Sequence, residues 1–549
     1  MKYLNLVAIL AGITLSSCNQ KVKVDLLIRN GVIYTVDSLF AVQEAMAIKD
    51  KRIIAIGKNE EILDAYTSSD VIDAQGKAVL PGFIDAHVHF FWYGESLFTV
   101  DLNGCTSFDE VIARVQAFAK VHPNAVWIKG RGWDQNEFVE KSFPTNARLN
   151  ELFKKTPVAL YRVDGHTVLA NQAALDFAHI RPNQKIDGGE IIMREGILSG
   201  ILIDNAMQLF DASLPIPSID ETTNWLKAAQ AKCLEFGLTT LTDCGLDYEA
   251  VDLLDSLQRA GELDMRLYVM LRDRKKNYDR YLSKGPYRTD KLFVKGFKVV
   301  ADGALGSRGA CLLSPYQDKP GYSGFLLNSI AHFDSVASLL STTGFQMCTH
   351  AIGDSTNRII AKIYGKHLRG KNDRRWRIEH AQIIHKDDFD LFGAASIIPS
   401  VQPTAALSDR DWAEARVGKS KMEGAYAYQQ LLQQNGWIAL GTDFPIDNMD
   451  PITTFYSAVV RRDSKGQPAG GFQMEHALTR EQAMRGITQW AAKAGFMEDE
   501  VGSLEVGKQA DFVLLDQDVM KVSEEGILNT KVMATYLGGE KLFSRPNQK

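Results

Sequence analysis

Eight short apolar segments between residues 83 and 443 limit how this chain can fold. They are FIDAHVH (83–89), LTTLTDC (238–244), MRLYVML (265–271), GFKVVAD (296–302), FQMCTH (345–350), WRIEHAQ (376–382), SIIPSVQ (396–402) and WIALGTD (437–443). Most are separated by helical stretches such as NWLKAAQAKCLEFG (224–237) and DFDLFGAASI (388–397). Near-continuous apolar strands alternating with helices belong to parallel sheets with both faces covered. Eight of them predict a closed (β/α)8 TIM-like barrel, which alone takes about 250 residues. The chain has 549, so there is room for more.

The surplus is in three places. The first two barrel segments are about 150 residues apart, far more than one crossover needs, so residues 90–223 are predicted to be an insertion. It contains the strand candidate TPVALYRVDGH (156–166) and a Gly-rich stretch near Gly188. The two ends of the chain read as short strands split by turns: VDLLIRNGVIYTV, EAMAIKDKRIIAIG and VIDAQGKAVLPG at one end, GSLEVGKQADFVLLDQD (502–518) and TKVMATYLGGEKLF (530–543) at the other. Asn30-Gly31 between two β-rich runs predicts a hairpin. The domain scheme is therefore a small β-sandwich made from residues 18–80 and 501–549, around a barrel over 81–500.

Residues 1–17 are set apart. MKYLNLVAILAGITLSSC has Lys2 followed by an apolar run from Leu4 to Leu15. That run is shorter than the roughly 20 residues a membrane span needs and reads as a signal peptide. Leu15-Ser16-Ser17-Cys18 resembles a bacterial lipobox, which implies lipidation at Cys18 and a membrane-anchored protein of the bacterial cell envelope, periplasmic or in the outer membrane. An ordinary secretory signal with an incidental cysteine is the alternative. The other five cysteines are scattered and form no CxxC pair, which argues against a disulfide framework or a thiolate zinc site. A net charge of −5 with no basic tract argues against nucleic acid as a partner.

The segment at 83–89 is unusual in carrying His87 and His89 on an apolar strand. Residues i and i+2 share a face, so both imidazoles project together, at the strand end where such barrels place their sites. Two imidazoles on one wall suit a borderline divalent cation such as zinc. Other strand ends supply partners: Lys298 on the fourth segment, His350 on the fifth, His380 after Glu379 on the sixth and Asp443 on the eighth. A salt bridge from Lys298 to Asp302 is the alternative for that lysine, and Lys295, three residues earlier, faces the other way.

This order of residues resembles the amidohydrolase superfamily. GRGWDQNEF, LYRVDGHTVLAN, KVVADGALGSRGA, THAIGD, RIEHAQ, GTDFPID and GSLEVGKQADFVLLD are similar to the YtcJ-like, N-substituted formamide deformylase-like group, amidohydrolase family 3. The resemblance runs from about residue 24 to 545 and implies a metal-dependent hydrolase of non-peptide C–N bonds in small amide-type substrates. His87, His89 and Asp443 would hold one divalent ion, and His350 and His380 a second. Lys298, once carboxylated, would bridge the two. Asp443 would also be the catalytic proton shuttle for a metal-activated water attacking a carbonyl. For the substrate, the resemblance points to Asp302 and Arg308 on the loop DGALGSRGA, and to Trp133 and His166 on the insertion. A flexible turn and a purely structural insertion are the respective alternatives. A mononuclear deaminase-type site and a non-catalytic binding lipoprotein are the competing functions, and a homodimer is left open.

Overall fold

The computed structural model describes residues 20–211 and 213–546; the predicted signal peptide and Cys18 lie outside them. All eight segments form strands: β1 (Phe83–Val88), β2 (Leu238–Leu246), β3 (Arg266–Arg272), β4 (Leu292–Val300), β5 (Gln346–Ala351), β6 (Arg377–His380), β7 (Ile398–Val401) and β8 (Ala439–Leu440). They run parallel in that order.

The seam between β8 and β1 is made just beyond β8. The Asp443 N–H donates to the His87 carbonyl at 2.8 Å, and the His89 N–H donates to the Phe444 carbonyl at 2.9 Å. Thr442 adds its amide and hydroxyl to the Asp85 carboxylate, at 3.0 and 2.7 Å. Gly441 makes the approach possible, because a Cβ there would lie 2.6 Å from the His87 nitrogen. Closing the barrel and bringing Asp443 to the two histidines are thus one event.

Helices cover the barrel. The helix Ile219–Glu235 begins at Ser218, whose hydroxyl and the Glu221 side chain form a reciprocal capping box, worth about 1 kcal/mol in such positions. It buries Leu226, Ala229 and Cys233, spaced three and four apart, as a helix face requires. The five described cysteines beyond Cys18 are free, four of them buried. No helix among the described residues is long and apolar enough to cross a membrane.

The insertion carries its own six-stranded sheet in the order Val100–Asp101, Ile128–Trp133, Val158–Arg162, Thr167–Ala170, Ile197–Asp204, Gly189–Arg194. The single strand predicted over 156–166 is corrected here. It stops at Arg162, Gly165 adopts a φ of +72°, and the chain returns antiparallel from Thr167. The chain ends build two larger sheets besides a two-stranded pairing of Val22–Lys23 with Tyr66–Thr67. One is four-stranded and wholly N-terminal; the other is six-stranded and pairs Ala78–Pro81 with Phe512–Leu515. Ile28, Met46, Val79, Phe512 and Tyr536 are buried in a shared core.

The hairpin expected at Asn30-Gly31 does not form. Leu26–Arg29 pairs with Ala45–Lys49 and Val71–Asp73, whereas Val32–Tyr34 pairs with Ala78–Pro81 and Val42–Gln43. Asn30 takes a left-handed φ of 54° and turns the chain from one sheet to the other. Asn30-Gly31 does make a turn, but longer-range pairings claim both flanking strands.

Candidate active site

A cavity of about 1240 Å³ opens at the C-terminal ends of the barrel strands and is lined by His89, His166, Lys298, His350, His380 and Asp443 among others. His87 is fully buried beside it. The predicted ligand set therefore converges, although its members come from five strands spread over more than 350 residues.

Asp443 Oδ1 lies 3.2 Å from His89 Nε2 and 3.6 Å from His87 Nε2. The His350 and His380 ring centroids are 4.5 Å apart, and those of His87 and His380 are 4.8 Å apart. Lys298 Nζ is 3.1 Å from His87 Nε2. Lys298 makes no ion pair with Asp302 among the described residues. Lys295 faces away from the site, its amine 4.5 Å from the Phe496 ring centre. His380 and Asp443 have left-handed φ values of 69° and 63°, a conformation uncommon for non-glycine residues and found at functional sites.

The site's electrostatics favour cation binding. Burial lowers the pKa of His87, His350 and His380, and that of His89 to about 4, leaving the rings neutral at neutral pH. Burial opposes ionisation of Asp443, but His87 and His89 outweigh it and hold its carboxyl well below the usual range. Asp443 Oδ1 and His350 Nε2 are buried with no hydrogen-bond partner among the described residues. Neutral imidazoles, a carboxylate and orphaned donor atoms in one pocket fit a divalent cation.

Glu379 was not assigned a role from sequence. It is fully buried, and its Oε2 accepts from His87 Nδ1 at 2.6 Å. This fixes the tautomer and turns His87 Nε2 toward Lys298 and Asp443. Arg377, also fully buried, pairs with Glu379 at 2.7 Å and ties it to β1 through the Ala86 carbonyl and to β7 through Ser400. The signal was present: Arg377 and Glu379 are opposite charges two apart on an apolar strand, hence on one face.

The predicted substrate residues separate. His166 lines the cavity, its Nδ1 2.6 Å from Asp204 Oδ1 and its ring centre 5.2 Å from that of His350. The other three are not among the lining residues. Trp133 is buried in the insertion core and donates to the Leu160 carbonyl at 2.7 Å, so its role is structural. Arg308 pairs with Asp318 at 2.8 Å. Asp302 is fully buried and accepts from the amides of Cys311, Ile352 and Gly353 and from the Thr356 hydroxyl. It holds the segment after His350 in place.

A parallel barrel with histidines at the ends of the first, fifth and sixth strands, a lysine on the fourth and an aspartate after the eighth defines the class of barrel hydrolases. The chain belongs to the amidohydrolase family, whose model matches residues 70–543, and is an enzyme acting on carbon–nitrogen bonds. Protein LONG AFTER FAR-RED 3 of Arabidopsis thaliana is 31% identical over 94% of this chain and 91% of its own length. An N-substituted formamide deformylase of Arthrobacter pascens is 25% identical over 95% of this chain and 98% of its own. Among solved structures, an uncharacterized metal-dependent hydrolase from Pyrococcus horikoshii OT3 superimposes with a TM-score of 0.75. It is 26% identical, covering 91% of this chain and 99% of the other.

Proposed function

We propose that the protein hydrolyses the C–N bond of a small amide or N-substituted formamide, using one or two divalent ions, zinc being the best fit. The observation that carries this is the convergence of His87, His89, Lys298, His350, His380 and Asp443 on one cavity, with the lone pairs of His350 and Asp443 orphaned. His87, His89 and Asp443 would hold one ion; His350 and His380, with Lys298 carboxylated by carbon dioxide, would hold the other. When bound, such an ion supplies Lewis acidity toward a carbonyl and lowers the pKa of water. Asp443 is ionised at working pH, takes the proton of the attacking water and returns it to the leaving nitrogen. Glu379 keeps His87 aimed. His166, oriented by Asp204, faces the same space and is placed to hydrogen-bond the substrate.

The test is release of amine from a library of amides and N-substituted formamides. Turnover by the wild type, lost by at least about a thousandfold in Asp443→Asn, is the expected result; normal turnover by that variant would remove the assigned base. A mononuclear deaminase would make no use of Lys298 as a bridge, so unchanged metal content in Lys298→Ala would favour that reading. The proposal includes lipid anchoring at Cys18 in the cell envelope, tested by release of Cys18→Ser from membrane fractions.

A further inference from the structure

One guanidinium lining the cavity has no ion-pair partner among the described residues. Arg131, in the insertion strand Ile128–Trp133, lines the cavity. Its Nε and Nη2 are shielded from solvent without a hydrogen-bond partner, and it forms no ion pair among the described residues. The carboxylates whose charge reaches it are engaged elsewhere. Asp164 is paired with Arg162 and accepts the His166 amide, Glu95 is bound to Lys129 at 2.7 Å, and Asp443 faces His87 and His89. Arg162, on the neighbouring strand Val158–Arg162 and lining the same cavity, shows the contrast: it is held by both Asp134 and Asp164.

A second guanidinium reinforces the first. Arg131 and Arg272 are 5.5 and 5.9 Å from the Trp92 ring centre. The nearest carboxylate to Arg272 is Asp247 at 4.0 Å, which already serves Arg274 at 2.7 Å and Lys276 at 3.1 Å. The Trp92 ring stacks in turn on His89, centroids 4.4 Å apart. One indole therefore separates this cationic wall from the residues that receive the scissile group. A desolvated guanidinium left unpaired is destabilising, and its planar fork matches a carboxylate in two-point geometry.

We infer that the substrate is an amide bearing a carboxylate, and that Arg131, supported by Arg272, binds that carboxylate across the face of Trp92 while the carbonyl lies at His89 and Asp443. This deepens the hydrolase reading and rests on it for the identity of the scissile group.

Non-hydrolysable ketones separate binding from turnover. Calorimetric titration of the metal-loaded wild type with levulinate and its longer homologues, against their methyl esters, should show the carboxylates binding at least about tenfold more tightly. Arg131→Met should abolish that gap. Arg131→Lys keeps the charge without the fork and should narrow it, which provides the test if the methionine variant does not fold. Equal binding of acid and ester, a gap that survives both substitutions, or no binding of any member would overturn the inference. Carboxylate binding that depends on Arg131, in a protein that hydrolyses no amide, would uphold the carboxylate subsite and sink the hydrolase reading instead.

Discussion

Glu379 is what His87 needs and what its sequence neighbours cannot supply: a buried carboxylate, 292 positions away, on the ring's other nitrogen. Removing such a partner weakens metal binding by about 10- to 100-fold. Glu379→Gln should therefore lose metal in a competitive chelator titration while remaining folded, and unchanged affinity would deny it the orienting role. A separate residue gives a pH signature. Burial pushes the Asp243 carboxyl from its ordinary 3.8 to about 7. A raised acid contributes stability that is complete below about 3.8 and lost as pH rises through about 7. Wild-type stability should fall by roughly 1 kcal/mol more than that of Asp243→Asn between pH 6 and pH 8, measured by denaturant unfolding. The side chains that converge on the cavity were legible because each marks a strand end with a residue type that apolar strands otherwise exclude. Glu379 is less legible, because the sequence does not show that its carboxylate reaches His87, 292 positions away. Trp133 and Arg308 could not be placed, since a motif does not say whether a side chain faces a cavity or a core.

At the level of elements, the seam and the Gly-rich loop do the positioning. Gly441→Ala would set a methyl group against the His87 backbone, 2.6 Å away, and push β8 from β1. A cost of about 1–3 kcal/mol with reduced metal content is expected, read by thermal unfolding and metal analysis together; a variant with normal values of both would show that the seam tolerates displacement. In DGALGSRGA the glycines let the loop lie against the insertion. A Cβ at Gly303 or Gly309 would fall within 2.5 Å of the Asp204 carboxylate, and one at Gly306 would fall 2.9 Å from the Arg162 guanidinium. The eight barrel strands were readable from apolar runs alternating with helices, because both faces of a parallel sheet are buried. The Asn30-Gly31 turn was not, because pairing is decided by strands far away in sequence.

Across the whole molecule, a buried ion pair ties the barrel to the terminal sheets. Arg266 on β3 bonds Asp511 at 2.7 Å, and Asp511 also accepts the Gly538 amide at 2.6 Å. Both side chains are nearly inaccessible, so Asp511→Ala strands a buried guanidinium and should cost about 3–5 kcal/mol. Adding Arg266→Met should recover part of that, and a single variant as stable as the wild type would show that the contact carries little. The β-rich ends were legible as one unit because neither end has enough strands to bury its own apolar faces. The central claim is that the strands deliver their side chains to a metal centre, and metal content tests it most directly. Protein beginning at Gln20, purified without chelator and with bicarbonate present, should carry one to two divalent ions per chain by mass spectrometry, and His87→Ala/His89→Ala should carry fewer. Folded wild-type protein that binds no divalent ion, even when zinc is supplied, would contradict the account.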